Sequence, residues 1–354
     1  GVGLRASVSS GMIVLLVIGV LHNGLSERFA KCCRAKEYWI LSFFFLIVFV
    51  SGIYSEDKSD WLIWVRIKLP YLALPLAFAE TKKFEQKKFI LILYGFILTL
   101  FISVVAVLTN YFLHYQIITD SFLRGKAIPM PFSHIRYTLM VTFSFFCCWF
   151  LFEKEKYFLS TNEKWLQFFL MAFMIIALHI LSVRSALLAL YLGLFFLILR
   201  FTFVKRKFVL AVSSLFGLTA FLFIDDKFIP SLQNKFEYMQ YDRSQFEKGE
   251  VKHLSDGVRI ISMKGGLEIA KENLWFGVGA GDLKTELEKF YTRYFPQLSA
   301  EDRKPIHNQF IWTLASTGAI GLSVFLFAFF FPLFANGNYK SWIFVVLHLI
   351  LFSS

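Results

Sequence analysis

The chain has 354 residues, 57% of them hydrophobic, and a formal net charge of +12 at pH 7. Phe alone accounts for 45 residues, which is more apolar surface than a soluble domain buries. The apolar residues form runs of about 17–25, the length with which a helix crosses the hydrocarbon of a bilayer. The pattern indicates an all-α, polytopic membrane protein and excludes a β-barrel, whose strands are short and alternate in polarity.

Ten membrane spans are predicted along the chain. They lie near residues 9–22, 38–54, 61–79, 89–112, 137–152, 165–182, 185–203, 208–224, 308–335 and 341–354. Residues 1–224 thus hold eight spans, residues 225–307 form one large loop, and residues 308–354 hold the last two spans. Because the chain begins at Gly1 and ends at Ser354 within an apolar run, we expect a fragment truncated at both ends.

Basic residues accumulate in alternate loops, near residues 28–36, 82–88, 154–164, 200–207 and at Lys340. The positive-inside rule makes these loops cytoplasmic and places the 225–307 loop outside. This bias explains most of the positive charge without a nucleic-acid partner, and a basic face suits anionic lipid headgroups. The four cysteines, Cys32, Cys33, Cys147 and Cys148, avoid the outer loops, so no disulfide is expected, and their spacing matches no metal site.

The outer loop is predicted to contain two amphipathic helices, over residues 256–273 and 282–295. The sequence NLWFGVGAGD joins them at residues 273–282. Its glycines permit a tight turn that folds the loop back onto the membrane surface, and Asp282 is expected to cap the second helix. GVGAG is similar to a dinucleotide-binding fingerprint, but no strand precedes it, so nucleotide binding is not expected.

Several cations are predicted to lie in or near the outer half of the membrane. Charged residues there usually pair with a partner or serve a substrate pathway. Clustered arginines suit a diphosphate, whose oxygens match the guanidinium fork. The alternatives are interfacial snorkelling and, for the arginine of the first loop helix, an ion pair with Asp256. The candidates are Arg66, Lys68, Arg136, Arg184 and Arg259.

His307 and Asn308 lie where the large loop meets a hydrophobic helix that carries Gly318 and Gly321. An imidazole between water and lipid suits proton transfer on a substrate with a polar head and an apolar tail. The alternative is that His307 only donates a hydrogen bond to a backbone carbonyl.

Four sequence segments resemble the O-antigen ligase/polymerase family. They are SVRSA at 182–186, the Arg259 helix with NLWFGVGAGD, HNQFIWTLASTGAIGL at 307–322 and, more weakly, RIKLPYLALP at 66–75. The resemblance implies a GT-C-like helical bundle in the bacterial inner membrane. It also implies transfer of a glycan from undecaprenyl diphosphate, on the periplasmic side, to lipid A–core, a growing polymer or a protein hydroxyl, without metal or cofactor.

The resemblance makes Arg184, Arg259 and His307 the catalytic residues, while Arg66 and Arg136 match more weakly. In the resulting hypothesis the arginines stabilise the leaving diphosphate, His307 is the general base, Asn308 holds the sugar or the ring, and direct attack inverts the anomeric centre. Substrate binding is assigned to Arg66, Lys68, Arg136 and Asn308. A polymerase, a protein O-oligosaccharyltransferase and, from another class, a transporter of lipid-linked glycans are the alternatives.

Overall fold

The computed structural model describes residues 36–78, 85–123, 128–153, 162–203, 255–335 and 341–352. These residues form twelve α helices, one turn of 3-10 helix at Ser51–Ile53 and no strand, which confirms the all-α class. The helices are α1 Lys36–Val50, α2 Lys58–Lys68, α3 Pro70–Phe78, α4 Gln86–Leu113, α5 Tyr115–Leu123, α6 His134–Glu153, α7 Glu163–Leu181, α8 Arg184–Phe203, α9 Ser255–Glu272, α10 Leu283–Tyr294, α11 Gln309–Phe334 and α12 Trp342–Phe352.

Within the described ranges, five helices are long and apolar enough to cross a membrane: α4, α6, α7, α8 and α11. Two shorter apolar helices, at Ser42–Ile53 and Trp342–Phe352, coincide with the predicted second and last spans. The predicted spans at 9–22 and 208–224 lie outside the described residues. A multi-pass membrane protein is therefore confirmed, whereas the count of ten spans is not.

The predicted span at 61–79 differs from the structure, which has two short helices there. Proline has no backbone N–H to continue the helical ladder, and Pro70 begins α3 after the single residue Leu69 that follows α2. The start of α2 is set by Asp57, whose carboxylate accepts from the amide nitrogens of Ser59 and Asp60 at 2.9 and 3.0 Å. Hydrogen bonds from the Asp60 amide and the Ser59 hydroxyl lower the pKa of Asp57, so its carboxylate stays ionised as a cap.

Packing divides the chain into two compact units. Helices α4 to α8 and α12 belong to the first unit, and α1 to α3 with α9 to α11 belong to the second. The predicted catalytic residues are divided between them: Arg184 belongs to the first unit, and Arg259 and His307 belong to the second.

In the first unit, α6 and α8 run parallel. The Thr142 hydroxyl donates to the carbonyl of Ala186 at 3.3 Å, and further along both helices Arg200 donates to the Glu153 carboxylate at 3.1 Å. Both contacts advance in the same direction along α6 and α8, so the first turns of these helices lie at the same end of the unit. The buried face of α6 supplies much of the core, including Phe145 and Phe146.

In the second unit, α9 and α1 pack against α11, and α10 packs against α9. The bounds of the loop helices α9 and α10 differ from the predicted 256–273 and 282–295 by one residue at each end. The buried residues of α10 are Leu283, Leu287 and Tyr291, one per turn. Leu267 of α9 and Tyr294 of α10 are exposed.

Candidate functional site

Helix α11 is interrupted at Gly318, whose φ of 69° and ψ of −172° are not helical. In an unbroken helix the carbonyls of residues 315 and 316 would accept from the amides of residues 319 and 320. All four groups instead bond to the glycine-rich segment 273–281. Val278 and Gly279 donate to Ala315 and Ser316 at 3.0 and 2.8 Å, and Ala319 and Ile320 donate to Leu274 and Trp275 at 2.7 and 3.4 Å.

Glycine is required on both sides of this contact. A Cβ on Gly318 would lie 2.2 Å from the carbonyl carbon of Trp275, and a Cβ on Gly277 would lie 2.5 Å from that of Ser316. Both glycines also have positive φ, which side chains disfavour. The segment NLWFGVGAGD, predicted to turn the loop back onto the membrane surface, thus has a further role, because it completes the backbone hydrogen bonds of α11.

The other side of the 273–281 segment is bound by the turn before α2. The Tyr54 hydroxyl donates to the carbonyl of Phe276 at 2.8 Å. The carboxylate of Asp282 accepts from the amide nitrogens of Glu56 and Asp57 at 2.8 Å each. The prediction that Asp282 caps α10 is wrong: it occupies the N-cap position but makes no side-chain bond to that helix. The segment is thus fixed between the turn and α11.

We expect Gly318→Ala to destabilise the second unit by about 2 kcal/mol or more, because a left-handed alanine costs about 1–3 kcal/mol before any clash is counted. Thermal unfolding of the detergent-purified protein measures the effect. The control is Gly95→Ala on α4, where a Cβ would meet no atom within 4 Å. Equal melting temperatures for the two variants would contradict this account of the break.

His307 lies in the irregular stretch 303–308 that leads into α11, and its side chain is exposed. Asn308 begins the helix, since its Oδ1 accepts from the amide nitrogens of Phe310 and Ile311 at 2.9 and 3.0 Å. The Nδ1 atom of His307 lies 2.7 Å from the carbonyl oxygen of Pro305. A carbonyl only accepts, so Nδ1 carries the hydrogen and the neutral ring has its lone pair on Nε2. A hydrogen bond from His307 to a backbone carbonyl was the alternative to a catalytic role. The bond is present, and it also selects the tautomer with a free Nε2, which a general base needs.

The stretch before His307 is held by α9 and α10. The Tyr291 hydroxyl donates to the carbonyl of Lys304 at 2.8 Å, and burial raises the pKa of Tyr291, which keeps this donor protonated. Arg303 donates to the Glu288 carboxylate at 2.7 Å. Ile306 is buried against Gly266 of α9, so the backbone on the N-terminal side of His307 is fixed by packing as well as by hydrogen bonds.

Lys68 lies beneath the first turn of α11, with only 5% of its surface exposed. Its ammonium donates to the Gln309 side chain at 3.1 Å, and Gln309 in turn donates to Thr313 at 2.9 Å. This arrangement favours an indirect role for Lys68 over direct contact with substrate. Lys68 would act by holding Gln309, the residue that follows Asn308. Four aromatic rings surround the ammonium within 4.8–6.0 Å of their centroids: Phe44, Trp64, Tyr71 and Trp312.

Sequence reasoning did not identify Gln309 or Tyr291 as supporting residues. Gln309 could have been identified as a polar residue directly after a helix cap. Tyr291 could have been identified because it continues the four-residue spacing of Leu283 and Leu287.

Arg259 is partly exposed on α9, seven residues before Gly266. Seven residues are about two turns, so the two positions share a face and are separated by about 10 Å along the axis. Since Gly266 contacts Ile306, Arg259 lies on the face of α9 that packs against the His307 stretch. Arg66 is exposed in the last turn of α2 and lies outside the aromatic cage of Lys68.

In the first unit, Arg136 and Arg184 are exposed in the first turns of α6 and α8, at the same end. The hairpin that carries Arg184 is closed by Ser182, which has a left-handed φ of 50°. His179 and Tyr191 join its two helices, with 2.7 Å between Nε2 and the hydroxyl oxygen. The grouping of Arg136 and Arg184 with the residues of the second unit stays a prediction.

Residues 169–326 match the family described as O-antigen ligase. The match confirms the resemblance over these residues. The matched range contains Arg184, Arg259 and His307, whereas Arg66, Lys68 and Arg136 precede it. No curated protein matches the chain.

Proposed function

From the O-antigen ligase family match at residues 169–326, we propose that the chain is a glycosyltransferase of the bacterial inner membrane. It moves a glycan from undecaprenyl diphosphate to a hydroxyl of lipid A–core, with the reacting residues on the periplasmic side. The observation that carries the proposal is the geometry of His307, an exposed imidazole with Nε2 as its basic atom at the start of an apolar helix.

In the proposed reaction, Nε2 of His307 accepts the proton of the acceptor hydroxyl. The hydroxyl oxygen attacks the anomeric carbon as the bond from that carbon to the diphosphate oxygen breaks, and the electron pair of that bond leaves with undecaprenyl diphosphate. Direct displacement inverts the anomeric configuration. Oδ1 of Asn308 is used by the helix cap, so the group that Asn308 offers a sugar is its NH₂.

The arginines balance the charge that grows on the leaving diphosphate. Arg259 is assigned this role because it lies on the face of α9 that packs against the His307 stretch. Arg184 belongs to the first unit, so its assignment to the same reaction rests on the SVRSA motif and on the family match. Arg66 and Arg136 are assigned to donor binding because both side chains are exposed and because the predicted topology places them near the outer membrane surface. Positive groups aimed at a developing anion act most strongly where water is excluded.

The lipid A–core acceptor is tested by an in vitro transfer assay with the purified protein, the lipid-linked glycan and EDTA. We expect product with lipid A–core, and we expect EDTA to leave the rate unchanged because the arginines neutralise the diphosphate.

Chain extension with the donor alone would identify a polymerase, and transfer to a protein hydroxyl would identify an oligosaccharyltransferase. Donor binding without product in any arm would contradict transferase activity and support transport. Loss of product with EDTA would contradict metal independence.

A further inference from the structure

One face of α9 combines apolar and basic residues and is exposed from Ile260 to Lys271. Ile260, Lys264, Leu267 and Lys271 follow one another at spacings of four, three and four residues, so they form a single stripe. Ile260 and Leu267 are 40% and 42% exposed. A water-facing helix would carry polar residues at these positions, so the stripe indicates a contact with something other than water.

The stripe borders a groove of about 660 Å³ between α9, α10 and α11. Its walls are apolar and come from Leu267, Leu274, Phe290, Phe295 and Leu314. Lys264, Lys271 and Glu268 line it as well, which gives this side a net positive charge. The Lys271–Glu268 pair is exposed, at 3.0 Å, and an exposed pair of this kind leaves lysine able to bind an anion.

The groove extends from the loop helices to a membrane-spanning helix. Leu314 is the sixth residue of α11, about 7 Å along the axis from the start of the span. Beyond Leu274, the side chains of Trp275 and Phe276 are 64% and 65% exposed. Tryptophan side chains concentrate where hydrocarbon meets headgroups. The groove thus brings apolar walls and basic side chains together close to the start of a membrane span.

We propose that the groove binds a membrane phospholipid with an anionic headgroup. One acyl chain lies along the apolar walls, and Lys264 and Lys271 bind the phosphate. The bound lipid holds α9 and α10, and with them the His307 stretch, at the membrane surface. The proposal goes beyond glycan transfer and does not depend on it, because lipid binding is measured without either glycan substrate.

The test uses the purified protein in nanodiscs that contain a photoreactive lipid with a diazirine in its acyl chain. The probe is phosphatidylglycerol in one arm and phosphatidylcholine with the same chain in the other. We expect phosphatidylglycerol to label peptides covering residues 264–276 and 290–295 preferentially. Lys264→Gln and Lys271→Gln should each lower this labelling about fivefold, the effect of one basic side chain at an anionic membrane surface. Labelling by phosphatidylcholine should not change.

Lys289→Gln is the matched control, since Lys289 is an exposed lysine of α10 paired with a glutamate at 2.6 Å. It should label like the unmodified protein. Leu267→Gln changes an exposed wall residue, so it leaves the fold intact and should reduce labelling by both lipids. Equal labelling by the two lipids, groove peptides without label, or displacement of the lipid by soluble glycerol phosphate would overturn the proposal. Cross-links from these peptides to a second copy of the chain, in place of lipid, would also overturn it.

Discussion

Replacing His307 by alanine is expected to lower the rate of glycan transfer by about 10²–10⁴, the typical contribution of a general base. The hydrogen bond from Nδ1 to Pro305 fixes the ring and leaves Nε2 basic, so alanine removes both the base and its orientation. Initial rates with saturating donor and acceptor measure the effect. The side chain is exposed, so the melting temperature should change little.

Two comparisons separate a base from a structural residue. His307→Gln has an amide donor for the Pro305 carbonyl but no basic nitrogen, so it should be as inactive as alanine. Activity restored by glutamine would reduce His307 to a structural hydrogen-bond donor. The matched control is His114→Ala, since His114 is also exposed, with its Nδ1 3.1 Å from the carbonyl of Asn110. Its transfer rate should match that of the unmodified protein.

The parts of the fold that follow from local pattern could be predicted from the sequence. Apolar runs gave the five long helices, and amphipathic spacing gave both loop helices to within a residue at each end. The start of α11 was also accessible, because a polar stretch that ends in Asn before an apolar run is typical of a helix N-terminus. These features depend on residues that are only a few positions apart in the sequence, and the spacing of apolar residues reports on that short range.

The break in α11 could not be predicted in this way. Its hydrogen bonds join residues 274–279 to residues 315–320, and backbone bonds between distant segments leave no periodic trace. Both glycines can be read from the sequence. Nothing in their local sequence shows that Gly277 lies against the backbone of Ser316 or that Gly318 lies against the backbone of Trp275. Asp282 illustrates the same limit, because a helix-capping pattern was present while the amides it binds belong to residues 56 and 57.

Lys68 shows why a charge in an apolar segment is difficult to interpret from sequence. Its position suggested a phosphate ligand, yet its ammonium is enclosed by rings from α1, α2, α3 and α11. Those aromatic residues are distributed over more than 260 positions of the chain, from Phe44 to Trp312. Arg66, two residues earlier on the same helix, is exposed. Which of two nearby cations meets a substrate is decided by tertiary packing.

Replacing Arg259 by alanine is expected to lower kcat by about 10²–10³, the usual cost of removing one strong electrostatic contact to a developing anion. The loss should appear in kcat more than in the KM for the donor, because charge on the leaving diphosphate grows as the bond breaks. Arg259→Lys should recover part of the rate, since lysine keeps the charge but not the two-pronged fork. Steady-state kinetics with varied lipid-linked donor provide the measurement.

The competing interpretation is that Arg259 only forms an ion pair with Asp256, and it makes a different prediction. Asp256→Asn would then reproduce the loss seen with Arg259→Ala, whereas a diphosphate ligand leaves Asp256→Asn near full activity. Arg293→Ala is the matched control, because Arg293 is an exposed arginine of α10 that contacts only the ring of its neighbour Tyr294 in the described structure. A normal kcat in Arg259→Ala would remove this residue from the reaction, and charge stabilisation would then have to come from Arg184, Arg66 and Arg136.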